Sequence, residues 1–278
     1  MQLTIHHETH YDYDSEVASS TQYLRLVPPD SPYQRIVSWT VHTPDQTFAS
    51  RDAFGNHIDV LTIDHPHHAI HVVAEGVVEI TRDDNTLEID NLPVPWFLRT
   101  TPLTTADAAL KVFSQSFEHA IQTHTQRELT AMMHAVLHAM PYQRGMTSTS
   151  TPAAEAFAQA SGVCQDHTHV FITLCRLLGL PARYVSGYLY THDDDHVATH
   201  AWAEVWMGEG WQGFDVSNGI YPGDTHLRLA VGIDYLDACP IRGVRRGGGT
   251  ERMHTHARVA AVDLSPVAVD SWAQIQGQ

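Results

Sequence analysis

The chain has 278 residues, 43% of them hydrophobic and 17% charged, and a formal charge of −16 with its 21 histidines neutral. That balance excludes disordered, collagen-like and membrane-spanning chains, and it opposes phosphate backbones and anionic lipid, whose binding needs clustered Lys and Arg. Neither nucleic acid nor membrane is an expected partner, and the length suggests two domains, each able to bury its own core.

Met1 to Tyr13 lacks the basic-then-apolar layout of a signal peptide, so a cytoplasmic location is expected. Leu3, Ile5, Tyr11 and Tyr13 fall on odd numbers, the two-residue period of a half-buried strand. Further strands are predicted at Gln22 to Val27, Ile36 to His42, His57 to Ile63 and Ala69 to Ile80. Pro28-Pro29-Asp30 and Phe54-Gly55-Asn56 supply turns between them, and the spacing predicts an antiparallel β sandwich over residues 1–95. His65, His67 and His68 form the densest histidine group, but Pro66 interrupts them and no nearby cysteine completes a tetrahedral metal set. Pro93, Pro95 and Pro102 remove backbone donors and mark a junction between Asn91 and Thr105.

Helices are predicted at Ala106 to His124 and Glu128 to Met140, the second with Met132, Met133, Val136, Leu137 and Met140 at helical spacing. A third is expected to start at Thr151, capped by its hydroxyl, with Pro152 in the first turn and an end near Ala160. Ser161-Gly162-Val163 breaks the chain, and Cys164 opens a fourth helix that is apolar around most of its surface. Such a helix is buried on nearly all sides, and Gly179 and Pro181 stop it. Strands follow at Arg183 to Tyr190, His200 to Trp206, Trp211 to Val216 and Thr255 to Asp263. Arg242, Arg245 and Arg246 beside Gly247-Gly248-Gly249 read as a solvated loop. The fold class is therefore α+β: the β sandwich, then helices packed on an antiparallel sheet over residues 96–278.

Three cysteines cannot pair completely, so a free thiol needs its own explanation. Cys164 at a helix start meets the positive end of the helix dipole and unpaired amides, an arrangement that favours a thiolate nucleophile. Its own amide also points where an oxyanion would form. Cys175, mid-helix among Leu174, Leu177 and Leu178, reads as structural. His200 and Asp215 share a sheet face only if the loop between their strands has an even length: two residues put them directly opposite, and four put Asp215 opposite Trp202. An even loop is predicted, giving a nucleophile, a base and an orienting acid, the logic of thiol acyl transfer. A zinc set of Cys164, His167 and His169 is disfavoured, because one helix end seldom aims three ligands tetrahedrally.

Gly162-Val163-Cys164-Gln165-Asp166, His200-Ala201-Trp202-Ala203-Glu204-Val205 and Gly210-Trp211-Gln212-Gly213-Phe214-Asp215 strongly resemble the bacterial transglutaminase-like proteins, often called transglutaminase-like cysteine proteases. Arg183-Tyr184-Val185-Ser186-Gly187-Tyr188 resembles that family's strand after the nucleophile helix, and Tyr11-x-Tyr13 with Asp52-Ala53-Phe54-Gly55-Asn56 its N-terminal β region. The resemblance implies a papain-like core, a Cys164, His200 and Asp215 triad acting through a thioester, and neither metal nor cofactor. It implies that Tyr142 reaches the oxyanion or acyl group, with packing under the groove as the bland alternative. Asp166 reads as a helix N-terminal carboxylate. His167 stands where an aromatic residue is common, and Val216-Ser217 replaces the usual Pro-Thr, departures that bear on the groove and on the acid's orientation. The expected activity is amide or peptide hydrolysis, on a peptide, protein or small amide. Amine transfer to the same thioester, or a binding module without turnover, are the alternatives. Thr191 to Thr199, with Asp193, Asp194 and Asp195, is expected to shape the entrance or stay a solvated loop.

Overall fold

The computed structural model describes residues 1–81, 92–118, 126–191 and 199–262. The loop reading for Asp193, Asp194 and Asp195 and the end of the first predicted helix lie outside these residues.

One long strand, β1 (Gln2–Leu24), organises the first sheet. Its odd-numbered side chains are buried from Leu3 to Tyr13 and again at Val17, with Ser15 exposed between them, and then the parity switches to Ser20, Gln22 and Leu24. The switch coincides with a register shift between Val17 and Ser19, where one extra residue turns the strand's faces over. Along one edge β1 pairs with β4 (His57–Ile63) and β5 (His67–Ile80), with β2 (Gln34–His42) beyond β5 and β3 (Thr47–Arg51) beyond β4. Along the other edge lie β10 (Ile241–Gly247) and β11 (Glu251–Ala261), and every pairing is antiparallel. Among the described residues the strands of the β-rich first region thus belong to a single curled seven-stranded sheet.

Two expectations change here. A boundary at 95/96 puts β10 and β11 in the second unit, but their backbones complete the first sheet across the whole sequence. Arg242, Arg245 and Arg246 stand on β10, not in a loop, because their backbones pair with Tyr23, Ser20 and Ser19.

The second sheet runs in the order β8, β7, β6, β9, from β6 (Ala182–Leu189), β7 (Thr199–Trp206), β8 (Trp211–Phe214) and β9 (His226–Gly232). Helices α1 (Ala108–Gln115), α2 (Gln126–Ala139), α3 (Ala153–Gln159) and α4 (Cys164–Leu177) share one core with it, and α5 (Tyr235–Ala238) follows β9. In α4 every residue from Gln165 to Arg176 is buried, as its all-round apolar pattern implies. Thr151 does not cap α3: its hydroxyl accepts the Ser148 amide at 2.9 Å, and Pro152 holds the cap position.

β9 is an edge of its sheet, and two side-chain amides cover that edge. Gln34 accepts from the Arg228 amide at 2.8 Å and donates to its carbonyl at 3.0 Å. Asn56 does the same at Val231, at 2.8 and 2.7 Å. Tyr188, Leu227 and Leu229 of the second sheet join the apolar core of the first, so the two sheets are packed against one another.

Arg183 and Glu204 face each other across β6 and β7, with Arg183 Nε 2.7 Å from Glu204 Oε2 and its guanidinium 4.3 Å from the centre of the Trp211 ring. Both are buried. Arg183→Met strands the Glu204 carboxylate and is expected to cost about 3–5 kcal/mol in urea unfolding. Adding Glu204→Leu should restore most of that loss.

Candidate active site

Cys164 is the first residue of α4, preceded by Val163 in extended conformation. Asp166 folds back on this start, its Oδ2 accepting from the Val163 amide at 2.8 Å and from Thr147 Oγ1 at 2.7 Å. That is the helix N-terminal role the sequence suggested, and burial raises the carboxyl's pKa. A Cβ at Gly162 would stand 2.7 Å from Asp166 Cβ, so the approach to the helix requires glycine there. The Cys164 side chain is half-buried, whereas Cys175 and Cys239 are buried and burial pushes both thiols up.

The loop between β7 and β8 has four residues, 207–210, closed by the Met207 amide on the Gly210 carbonyl at 2.9 Å. Ala203 pairs with Phe214, so Asp215 arrives opposite Trp202 on the face of His200, as an even loop requires. His200 Nε2 lies 2.8 Å from Asp215 Oδ2, and His200 and Cys164 line the same cleft, near enough for the thiol to act on the charge of the imidazole. Burial alone would lower the imidazole. The Asp215 carboxylate and Cys164 override it and raise His200 to about 10, so the ring holds its proton at neutral pH. Burial would raise Asp215, but the His200 charge and hydrogen bonds from His200, His226 and Asn218 hold it well below the usual carboxylate range.

His226, at the start of β9, is the site residue that sequence reasoning missed. Its Nε2 lies 3.0 Å from the same Asp215 Oδ2, and its Nδ1 accepts from the Gly223 amide at 3.1 Å. An accepting Nδ1 leaves Nε2 as the donor, so Asp215 receives an N–H from each of two imidazoles. Asn218 Nδ2 adds a third donor to Oδ2 at 2.7 Å, and Ser217 Oγ bonds Oδ1 at 3.0 Å. Ser217, one of the departures from the family's pattern, thus helps hold the acid.

His200, Asp215 and His226 bring three potential ligand atoms within 4.8 Å of one another. The Gly223 amide on His226 Nδ1 makes this a hydrogen-bonded cluster with a proton between His226 and the carboxylate, occupying the position a cation would take. Cys164, His167 and His169 do not converge: His167 bonds the carbonyls of Val163 and Met140, and His169 Nε2 accepts from the Tyr235 amide at 3.1 Å. Tyr142 is half-exposed and stacks on His167 at 6.2 Å, tied to the site through the Gln143 amide on the Gly162 carbonyl at 2.8 Å. Its ring does not line the cleft at Cys164.

That cleft, a cavity of about 270 Å³, lies between Cys164 and the first sheet. Buried His7 sits in its wall and is lowered to about 4, by burial first and then by His6 and His256. His169, inside α4, is lowered to about 3 by burial and by Arg176. Both pKa values lie below that of an unfolded histidine, near 6.5, so the unfolded chain takes up these protons first. Stability is therefore lost as pH falls below about 6.5, roughly 2 kcal/mol from each ring by pH 5. Urea titrations between pH 7 and 5 should show a shallower fall in His7→Gln than in the parent.

Residues 113–216 match the transglutaminase-like superfamily core, and the chain belongs to that superfamily. Residues 3–79 match the bacterial transglutaminase-like N-terminal region, so the chain joins that region to the core. It is 27% identical over 277 residues to an uncharacterized protein of Mycobacterium leprae, covering 89% of this chain and 94% of the relative. An uncharacterized protein of Mycobacterium bovis is 27% identical over 292 residues, covering 93% and 90%. The crystal structure of a candidate cysteine protease from Cytophaga hutchinsonii shares the fold, with a TM-score of 0.67 at 20% identity over 96% of this chain and 93% of the other.

Proposed function

We propose that the protein is a thiol hydrolase of amide or peptide bonds, with Cys164 as nucleophile, His200 as proton carrier and Asp215 as the group that orients His200. The observation that carries this reading is His200 Nε2 at 2.8 Å from Asp215 Oδ2 in the cleft that Cys164 also lines, with Cys164 at the amino end of a buried helix. Cys164 Sγ attacks the carbonyl carbon, and the carbonyl electron pair moves to oxygen, where the unpaired amides at the start of α4 favour the negative charge. As the tetrahedral adduct collapses, the C–N bond breaks and the amine leaves with the proton from His200. Water then attacks the thioester while His200 takes its proton, and loss of the Cys164 thiolate frees the acid. Imidazolium and thiolate are restored.

The test incubates the protein with a glutamine-containing peptide library and a labelled primary amine, read by mass spectrometry. Free acids and released fragments without label are expected, with a transient Cys164 acyl adduct. Label joined to peptide in place of hydrolysis would assign amine transfer instead. A library untouched by the wild-type protein would sink the enzyme reading.

A further inference from the structure

The cavity that opens on Cys164 is closed on its far side by the first sheet. β1 contributes His7, Thr9 and Tyr11, and the returning strands contribute Ile241, Met253 and Thr255. No described Asp, Glu, Lys or Arg side chain lines it, in a chain whose formal charge is −16. We infer that this cavity binds an uncharged, largely apolar group of the substrate, the size of an aliphatic or aromatic side chain, beside the amide that Cys164 attacks. The inference rests on the thiol reading of the site.

The polar end of the cavity consists of neutral groups that satisfy one another. His7 Nδ1 lies 2.7 Å from the Tyr188 hydroxyl, His7 Nε2 lies 3.0 Å from Thr255 Oγ1, and Thr9 Oγ1 lies 3.3 Å from that same hydroxyl. With its pKa near 4, His7 carries no charge at neutral pH and offers a carboxylate no counter-ion. The His200 charge at the Cys164 end is already matched by Asp215, so a Lys or Glu side chain entering against Tyr11, Ile241 and Met253 would shed its water beside uncharged walls, a cost that an apolar group avoids. A volume of about 270 Å³ holds the equivalent of roughly nine waters, and their release on burial of an apolar group favours binding.

The test uses the full chain and matched peptidyl chloromethyl ketones, in which the thiolate displaces chloride to form a carbon–sulfur bond. The series varies one side chain, either next to the reactive carbonyl or one residue before it. Alkylation of Cys164 is followed by mass spectrometry, and iodoacetamide serves as a reagent without a side chain. At one of the two positions Leu and Phe should react at least about tenfold faster than Glu or Lys. Met253 is half-exposed, so Met253→Glu leaves the core intact while bringing a negative charge to the cavity wall. That variant should bring Lys above Leu, each peptide rate being taken relative to the same protein's own iodoacetamide rate. Equal rates for all side chains, or an unchanged ranking in Met253→Glu, overturn the inference and leave the thiol reading standing. If neither the peptides nor iodoacetamide alkylate Cys164 ahead of Cys175 and Cys239, the thiol reading falls, and the inference with it.

Discussion

Cys164→Ala abolishes amide cleavage, lowering kcat by roughly 10^4-fold or more, while its urea midpoint stays close to that of the parent. The large kinetic effect follows because no other thiol can replace it: Cys175 and Cys239 are buried. The small structural effect follows because the Cys164 side chain is only half-buried and its truncation leaves no closed void in the core. Cys175→Ala is the converse variant. It removes sulfur from a fully buried position and should cost on the order of 1 kcal/mol of stability with kcat unchanged. Fluorogenic peptide hydrolysis and urea unfolding, run on both proteins, check the pair of expectations, and retained activity in Cys164→Ala removes the proposed nucleophile.

Asp215→Asn is expected to lower kcat by about 10^2–10^4-fold with little change in KM. The loss has two sources. An amide at this position cannot accept three N–H donors as the carboxylate does, so His200 loses its orientation and His226 loses its acceptor. The imidazolium also loses the charge that raises it to about 10. In the parent, activity that depends on a protonated His200 persists until the pH approaches that value, whereas in Asp215→Asn the alkaline limb moves down toward an ordinary histidine, near 6.5. Stability has the matching signs. The raised His200 stabilises the folded state fully below about 6.5 and loses its contribution as pH rises through about 10. The depressed Asp215 contributes above about 4, and that contribution is lost as pH falls. His226→Gln retains a donor toward Asp215 and should cost no more than about tenfold in kcat, whereas His226→Phe should approach the Asp215→Asn profile.

Much of this arrangement can be read from local pattern. The odd-numbered apolar residues of β1, the apolar helix behind Cys164 and the β7–β8 hairpin each carry their own period or turn signal. The even loop at 207–210 had to follow once one face held His200 and Asp215 together. What stayed hidden depends on distant partners. β9 is buried at every position, so it shows no alternation, and Arg228 interrupts its apolar run. His226 was one of 21 histidines with no spacing that links it to Asp215. The return of β10 and β11 to β1 joins residues as far apart as Leu3 and Ala261, which no local window contains. The expected cap at Thr151 failed because its hydroxyl serves the preceding turn through Ser148.

The amides of Gln34 and Asn56 have a consequence for how the chain can be divided. By occupying the backbone of β9 at Arg228 and Val231, they stand in for a missing neighbouring strand. A fragment beginning after residue 95 would leave that edge bare beside the uncovered faces of Tyr188, Leu227 and Leu229. Such a surface recruits other chains, so the fragment should aggregate or exchange strands even with all three of Cys164, His200 and Asp215 present.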